Sequence, residues 1–214
     1  MTIIPAILVD DAAAFRARLD ALPKHIDTVS VDIMDGSFVS PTTFFDAAVV
    51  GEIDTLIHYE LDLMVNDPLP IVRSWTTFTK TIRAIVHAEI PQDVRAICQE
   101  IRALGLEVGI ALLPKTTMAQ VEHLLNAVDM VLVRGNEPGR AGQPFLKGVL
   151  PKIEVLHREY PELMINVDIG VNAKTLPDIV HAGATHVCVN SAIFNAPDPH
   201  RALLELEQIT HTSS

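Results

Sequence analysis

Six polar side chains stand at the ends of short, otherwise apolar runs of this sequence. Asp32 follows Val-Ser-Val and Asp168 follows Ile-Asn-Val, and the full set is Asp32, Asp62, His87, Arg134, Asp168 and Asn190. Side chains alternate between the two faces of a strand, so Asp32 shares a face with Ser30 and Met34. If the runs are neighbouring parallel strands, these polar groups converge at one edge of the sheet. The pattern therefore predicts a site built on strand ends.

The three aspartates in this set indicate proton chemistry. Two carboxylates on opposite sides of a substrate can remove a proton from a carbon next to a carbonyl and return one to the other face. Carboxylates that lie close together also raise one another's pKa unless a cation or a proton sits between them. A cluster of Asp32, Asp62 and Asp168 therefore predicts a bound metal, a neighbouring arginine or a protonated acid.

The elements that must position these groups alternate along the chain. Strand-like runs lie at residues 3–9, 28–33, 55–64, 82–87, 108–113, 130–133, 164–167 and 186–189. Segments with helical periodicity lie between them, at residues 12–22, 91–104, 118–126, 147–160, 175–182 and 200–209. Eight strands over 214 residues leave about 27 residues per unit, enough for a strand, a helix and two short loops. The alternation predicts an α/β fold of the (β/α)8 TIM-barrel type.

A doubly wound open sheet is the competing fold, because it shows the same alternation with fewer strands. No Gly-x-Gly-x-x-Gly or P-loop sequence opens a helix here, so the usual nucleotide-binding signal of that fold is missing. The barrel is therefore favoured. In such a barrel the active site lies at the carboxyl ends of the strands, where the six polar residues fall.

Composition limits the classes of partner. The chain has 49% hydrophobic residues and no linker-like stretch, which predicts one domain over residues 1–214. Its net charge of −11 would repel a phosphate backbone, so we expect no nucleic-acid partner. No apolar run reaches the roughly 20 residues of a membrane span, and residues 1–5 lack the basic and apolar regions of a secretory signal. Cys98 and Cys188 lack metal-type spacing. These features predict a cytoplasmic protein without a membrane partner.

Six segments resemble the ribulose-phosphate 3-epimerase family, in family order across nearly the whole chain. The most distinctive is VDIMDGSFV, residues 31–39. The others are PAIL at 5–8, DLMV at 62–65, PGRAGQPF at 138–145, VDIGV at 167–171 and NSAIF at 190–194. The resemblance implies a ribulose-phosphate-binding barrel. It also implies a small phosphorylated sugar as ligand and a homo-oligomer.

The resemblance also implies a reaction. The family interconverts ribulose 5-phosphate and xylulose 5-phosphate through an enediolate, and its two acid–base aspartates correspond to Asp32 and Asp168. Its metal is held by these aspartates and two histidines, whose positions are Ser30 and Asp62 here. The remaining ligands would be Asp32, Asp62 and Asp168, an all-oxygen set that favours Mg²⁺ or Mn²⁺ over Zn²⁺. A metal-free site is the alternative.

The substrate-binding residues implied by the resemblance surround these acids. They are Met34, Met64, Arg134, Gly139, Arg140, Gly142, Gly170, Asn190 and Ser191. Arg134 stands where the family has a third methionine, and Ile169 and Asn190 replace glycines. We expect the bulkier residues to narrow or remodel the phosphate pocket. Arg134 has two interpretations: it stabilises an enediolate without a metal, or it forms a salt bridge with Asp62 or Asp168 that closes a vacant metal site.

Three functions remain open from the sequence. The first is an epimerase or isomerase of a phosphorylated ketose, since both acid–base aspartates are retained. The second is a Mg²⁺-dependent lyase of the same suprafamily, although Met64 replaces the lysine on which that chemistry depends. The third is a non-catalytic or repurposed barrel that binds a sugar phosphate, because packing and chemistry occupy different ends of a barrel.

Overall fold

The protein is a closed barrel of eight parallel strands, each paired with its neighbours in sequence order and β1 paired with β8. The computed structural model describes residues 1–212. The strands are Thr2–Ile7 (β1), Thr28–Met34 (β2), His58–Met64 (β3), Thr81–His87 (β4), Glu107–Leu112 (β5), Met130–Arg134 (β6), Met164–Asp168 (β7) and His186–Val189 (β8). The closed parallel barrel confirms the predicted TIM-barrel fold.

Helices follow the strands along the chain. They are Ala12–Asp20 (α1), Ala47–Gly51 (α2), Leu69–Phe78 (α3), Val94–Ala103 (α4), Met118–Leu125 (α5), Leu150–Glu159 (α6), Leu176–His181 (α7), Ser191–Phe194 (α8) and Pro199–Thr212 (α9). Aspartate side chains cap several of them: Asp11 accepts from the Ala14 amide and Asp93 from the Ala96 amide. None of the helices within residues 1–212 has both the length and the apolar character that crossing a membrane requires.

The two faces of the strands bury different kinds of side chain. Outward-facing residues such as Leu61 and Val133 join the helices in one large apolar core that includes Phe15 and Trp75. The inward face carries a smaller apolar cluster, made of Ile4, Ala6, Ile85, Ala111, Met130, Leu132 and Cys188. Strand alternation places the charged strand residues on this same inward face. The barrel interior is therefore partly apolar and partly ionic.

Strand register sets the rows of side chains that face the interior. In the pairing of β2 with β3, Ser30 lies beside Glu60, Asp32 beside Asp62, and Met34 beside Met64. On the other side of the barrel, Arg134 of β6 lies beside Asp168 of β7. These two pairings bring the predicted acids to the carboxyl ends of their strands.

Some boundaries differ from the sequence prediction. β3 begins at His58 and not at Thr55, because the Thr55 hydroxyl accepts from the Ile57 amide and the Thr55 carbonyl accepts from Lys80. These bonds hold the segment as a turn ahead of the strand. β1 ends at Ile7, two residues before the end of its apolar run. Beyond the strand, the Val9 carbonyl instead accepts from the Phe44 amide of a neighbouring loop.

Candidate active site

The centre of the site is the guanidinium group of Arg134, which is fully buried at the end of β6. Its Nη1 donates to Oδ2 of Asp168 at 2.5 Å. Its Nη2 donates to Oδ1 of Asp62 at 2.6 Å and lies 3.1 Å from Nε2 of His87. One arginine therefore joins side chains from β3, β4 and β7. Of the two salt bridges predicted as alternatives, the structure forms both.

A second row of contacts orients this guanidinium. Because Nε2 of His87 faces a donor, it must accept, and the ring proton resides on Nδ1, which lies 3.1 Å from Glu89. Glu89 in turn accepts from the Leu113 amide at 2.9 Å and from the Thr116 hydroxyl. Burial lowers the pKa of His87 to about 4, so this imidazole is neutral near pH 7. The Phe38 ring packs on it with centroids 4.4 Å apart.

The aspartates differ in their electrostatic surroundings. Burial raises the pKa of Asp32 well above its ordinary value, and the nearby charges of Asp168 and Asp62 raise it further, against the opposing effect of Arg134. Burial also raises the pKa of Asp62 to about 6, although the Arg134 charge opposes this shift. Asp168 is ion-paired with the guanidinium. The surroundings of Asp32 thus favour its protonated form, whereas the Asp168 carboxyl lies against a cation.

Two polar atoms at this centre have no partner. Oδ1 of Asp32 and Nε of Arg134 are both buried without a hydrogen bond. Buried polar atoms are nearly always hydrogen-bonded, and an unpaired one costs free energy. Both residues line the same cleft at the mouth of the barrel. Both atoms are covered by protein, so a ligand donor reaches Oδ1, and a ligand acceptor reaches the Nε–H, only when the lining of the cleft shifts.

The cleft brings together most of the residues predicted to bind substrate. The space that it encloses is small, about 40 Å³, against ~300–1,000 Å³ for typical small-molecule sites. The predicted residues in its lining are Asp32, Met64, Arg134, Gly139, Arg140, Gly142, Asp168, Gly170, Asn190 and Ser191. Met34 and Asp62 are buried and lie outside this lining. Asp62 reaches the cleft only through its bond to Arg134.

The residues at this centre do not fit a divalent metal ion. Among residues 1–212, no group of three or more His, Cys, Asp or Glu side chains is arranged to hold one. Asp62 and Asp168 instead direct carboxylate oxygens at the guanidinium, which stays protonated in proteins. The nearby charges of Asp62, Asp168 and Asp32 raise the pKa of Arg134 further, although burial opposes this.

Comparison with known proteins places the chain in a family. A model of the ribulose-phosphate 3 epimerase family matches residues 2–194. The ribulose-phosphate 3-epimerase of Bacillus subtilis is 32% identical over 212 residues, which cover 95% of this chain and 97% of that protein. The cytoplasmic isoform of ribulose-phosphate 3-epimerase from Oryza sativa subsp. japonica is 32% identical over 218 residues, which cover 96% of this chain and 92% of that protein. The chain belongs to the ribulose-phosphate 3-epimerase family.

Solved structures of lower identity share the fold. The 3-hexulose-6-phosphate synthase of Salmonella typhimurium has a TM-score of 0.74 at 18% identity and covers 100% of both chains. KGPDC from Streptococcus mutans, in complex with D-R5P, has a TM-score of 0.77 at 13% identity and covers 98% of this chain and 97% of that one. At such identities the likeness shows the barrel fold alone.

Two features of the site were not anticipated from the sequence. Ile169, directly after Asp168, has a φ of 73°, a left-handed conformation that strains a β-branched residue. The adjacent Gly170 has a φ of 81°, and an added Cβ there would lie 2.4 Å from the Phe145 amide nitrogen. The replacement of a family glycine by Ile169 was the available signal. The second feature is Glu89, which holds His87 and has no motif that marks it.

Asn190 and Arg140 differ in how they face the cleft. The Asn190 amide donates to the Ala6 carbonyl at 2.8 Å, so part of this side chain is used to join β8 to β1. Arg140 is exposed in the loop after β6, beside the left-handed Gly139. Of the two, Arg140 is the one available to meet an anionic ligand at the mouth.

Proposed function

We propose that this protein is an epimerase of a phosphorylated ketose such as ribulose 5-phosphate, acting by proton transfer between Asp32, Asp168 and one carbon of the substrate. The observation that carries the proposal is the unequal pair of acids in one cleft. Burial raises the pKa of Asp32 and favours its protonated form, whereas Asp168 is ion-paired with Arg134. An acid and a base poised in this way are what a two-sided proton transfer requires.

The reaction needs no group beyond these two acids to balance. The Asp168 carboxylate takes the proton from the carbon next to the ketone, and the electron pair of that C–H bond moves into the C–C bond while the carbonyl oxygen becomes an enediolate oxygen. The enediolate oxygen then re-forms the carbonyl double bond, and the electron pair of the C=C bond takes the Asp32 proton on the opposite face of the same carbon. The reverse reaction exchanges the two roles, and proton exchange with water restores the starting pair.

The phosphate of the substrate would bind at the loops after β6 and β7. Arg140 supplies a positive charge at the mouth, where a chain of net charge −11 needs one to attract an anion. The left-handed Gly139, Gly142 and Gly170 shape the same rim. Glycines in this conformation leave backbone N–H groups open to close approach by a phosphate.

The alternative reaction and the predicted location, oligomeric state and ligand differ in how far the structure and the family bear on them. The Mg²⁺-dependent lyase alternative requires Asp62 as a metal ligand, and here Asp62 is paired with Arg134. The cytoplasmic location, the homo-oligomeric state and the absence of a nucleic-acid partner stay predictions. A small phosphorylated sugar as ligand is part of the proposal, supported by family membership and by the cationic rim of the cleft.

Proton NMR of ribulose 5-phosphate with the protein in D₂O tests the proposal. We expect the C3 proton signal to decay through exchange with solvent in the wild type and to persist with Asp32→Asn or Asp168→Asn. Asp35→Asn is a matched control, because Asp35 accepts from Ser37 in an exposed turn after β2 and does not line the cleft. Exchange that survives both site variants would contradict the two-aspartate mechanism. Binding that stabilises the protein to heat without any exchange would favour the non-catalytic alternative.

A further inference from the structure

We infer that the Arg134 guanidinium is the permanent cation of this site, and that it stabilises the enediolate oxygen directly, so that proton transfer proceeds without a divalent metal. The inference rests on the proposed function and assigns a catalytic group to it. The observations that carry it are the burial of Arg134, the partners of its terminal nitrogens and the unpaired state of its Nε.

The first argument concerns charge. Three aspartates from separate strands meet at the mouth, and the guanidinium forms ion pairs with two of them. His87 contributes no charge there, since it accepts from Arg134 through a neutral ring. A second cation at this centre would face a buried positive charge that cannot be neutralised by losing a proton. The site therefore already contains the cation that its carboxylates need.

The second argument concerns the two unpaired atoms. An α-hydroxy ketone carries an acceptor, the carbonyl oxygen, next to a donor, the hydroxyl group. Nε–H of Arg134 and Oδ1 of Asp32 offer the complementary donor and acceptor, and both residues line the cleft. Hydrogen bonds to an ionised oxygen are about twice as strong as those to a neutral one. The N–H therefore binds an enediolate more strongly than the ketone, which is the condition for catalysis.

The third argument concerns rigidity. An electrostatic group contributes most when it is fixed before the reaction begins. Arg134 is held by Asp62, Asp168 and His87, and His87 is held by Glu89. Glu89 is bonded to the backbone of Leu113. This chain of contacts connects β3, β4, β7 and the end of β5, so the guanidinium has little freedom to turn away from the cleft.

The test follows C3 proton exchange of ribulose 5-phosphate in D₂O. Wild-type protein is stripped with EDTA, and portions are returned to Mn²⁺ or Mg²⁺, with bound Mn²⁺ measured by electron paramagnetic resonance. We expect the wild-type rate to change less than about two-fold between the samples and no Mn²⁺ to bind. Arg134→Met should lower the rate by ~10²–10³-fold, the usual loss for one oxyanion donor. Arg134→Lys should lower it less, since an ammonium keeps the charge without the planar fork.

Controls separate folding from chemistry. Arg73→Met is the matched variant, because Arg73 is an exposed helix residue paired with Glu100 and should leave the rate unchanged. Circular dichroism confirms that each variant is folded. If Arg134→Met does not fold, Arg134→Lys and the metal series on the wild type still decide the question.

The outcomes separate the inference from the proposed function. Wild-type exchange that stops after EDTA and returns with Mn²⁺ would overturn the inference while supporting the proposed function, as would a folded Arg134→Met protein of wild-type rate. If no sample exchanges the proton, the proposed function fails. The inference rests on that function and falls with it, whether or not Mn²⁺ binds.

Discussion

Two buried arginines in the barrel, Arg83 and Arg134, both form ion pairs, but they differ in whether every guanidinium nitrogen has a partner. Arg83 of β4 donates through Nη1 to Glu60 at 2.6 Å and through Nε to Glu107 at 3.0 Å. Its Nη2 also donates to Glu107 and contacts the sulfur of Met164. Every nitrogen of this guanidinium has a partner within the protein. Such a group holds strands together and offers nothing to a ligand.

Arg134 retains an unused donor. Its terminal nitrogens bind Asp62 and Asp168, but its Nε has no partner, and Oδ1 of Asp32 is unpaired in the same cleft. A buried charge pair is therefore not in itself a sign of function. At the mouth of the barrel, a buried donor and a buried acceptor without partners belong to two residues that line one cleft.

The largest effect on stability is expected at the satisfied arginine. Arg83→Met leaves the Glu60 carboxylate fully buried without its cation, which should lower the free energy of unfolding by about 3–5 kcal/mol. The rate of C3 proton exchange per folded molecule should change little, because Arg83 does not line the cleft. Urea denaturation measures the first quantity and NMR the second.

The double variant Glu60→Gln with Arg83→Met is the control for this prediction, since it removes both charges. It should recover part of the lost stability. A folded Arg83→Met protein that has lost proton exchange would contradict the division of roles between the two arginines.

A pH-dependent loss of stability is expected at His87. The pKa of His87 in the folded protein, about 4, lies below the ordinary value of 6.5. Its contribution to the free energy of unfolding is therefore full above pH 6.5 and is lost as the pH falls toward 4. A shift of this size corresponds to about 3 kcal/mol. Asp62 acts with the opposite sign, because its raised pKa gives stability at low pH that is lost as the pH rises through about 6.

Comparing the free energy of unfolding of wild type and His87→Gln at each pH isolates the contribution of His87 to acid sensitivity. Denaturation at pH 7, 5.5 and 4 should show a wild type that loses more free energy of unfolding on acidification than the variant does. His186, whose pKa burial also lowers to about 4, titrates in both proteins and cancels in the comparison. Equal acid sensitivity of the two proteins would show that His87 is not buried as a neutral ring.

A smaller effect on binding is expected at the rim. Arg140→Gln removes an exposed cation without touching the buried centre, so KM for ribulose 5-phosphate should rise about three- to ten-fold while kcat stays near the wild-type value. The rise should shrink at high ionic strength because salt screens exposed charges. A fall in kcat with unchanged KM would place Arg140 in the chemistry instead.

The smallest effect is expected at Ile169. Ile169→Gly removes the strain of a left-handed β-branched residue but also removes the contacts of its side chain. The net effect should be a rise of about 1 kcal/mol in the free energy of unfolding. Ile169→Ala is the matched control, since alanine loses the contacts but keeps most of the backbone strain. Thermal denaturation compares the two. A glycine variant less stable than the alanine variant would mean that the strain is negligible.

Local pattern was sufficient to predict the barrel and the positions of its acids. Strand-like and helical runs alternate visibly, and a polar residue at the end of an apolar run falls near the carboxyl end of β2, β3, β4, β6 and β7. For this reason Asp32 and Asp168 could be assigned to the same cleft although 136 residues separate them, counting from 32 to 168.

What the sequence did not predict depends on geometry between distant strands. The double pairing of Arg134 requires the register of β6 with β7 and the spacing across to β3, neither of which a local pattern contains. The Arg83 network likewise depends on the register of β4 with β3 and β5. The left-handed backbone of Ile169 contradicts its own conformational preference, so only tertiary context can impose it.

The most direct test of the account is C3 proton exchange of ribulose 5-phosphate by chelator-treated protein, with wild type, Arg83→Lys and Arg134→Lys measured side by side. We predict that wild type and folded Arg83→Lys exchange the proton at similar rates without metal, and that Arg134→Lys is slower by about ten-fold or more. Exchange that requires added Mn²⁺, or that is equally fast in the two lysine variants, would contradict the account.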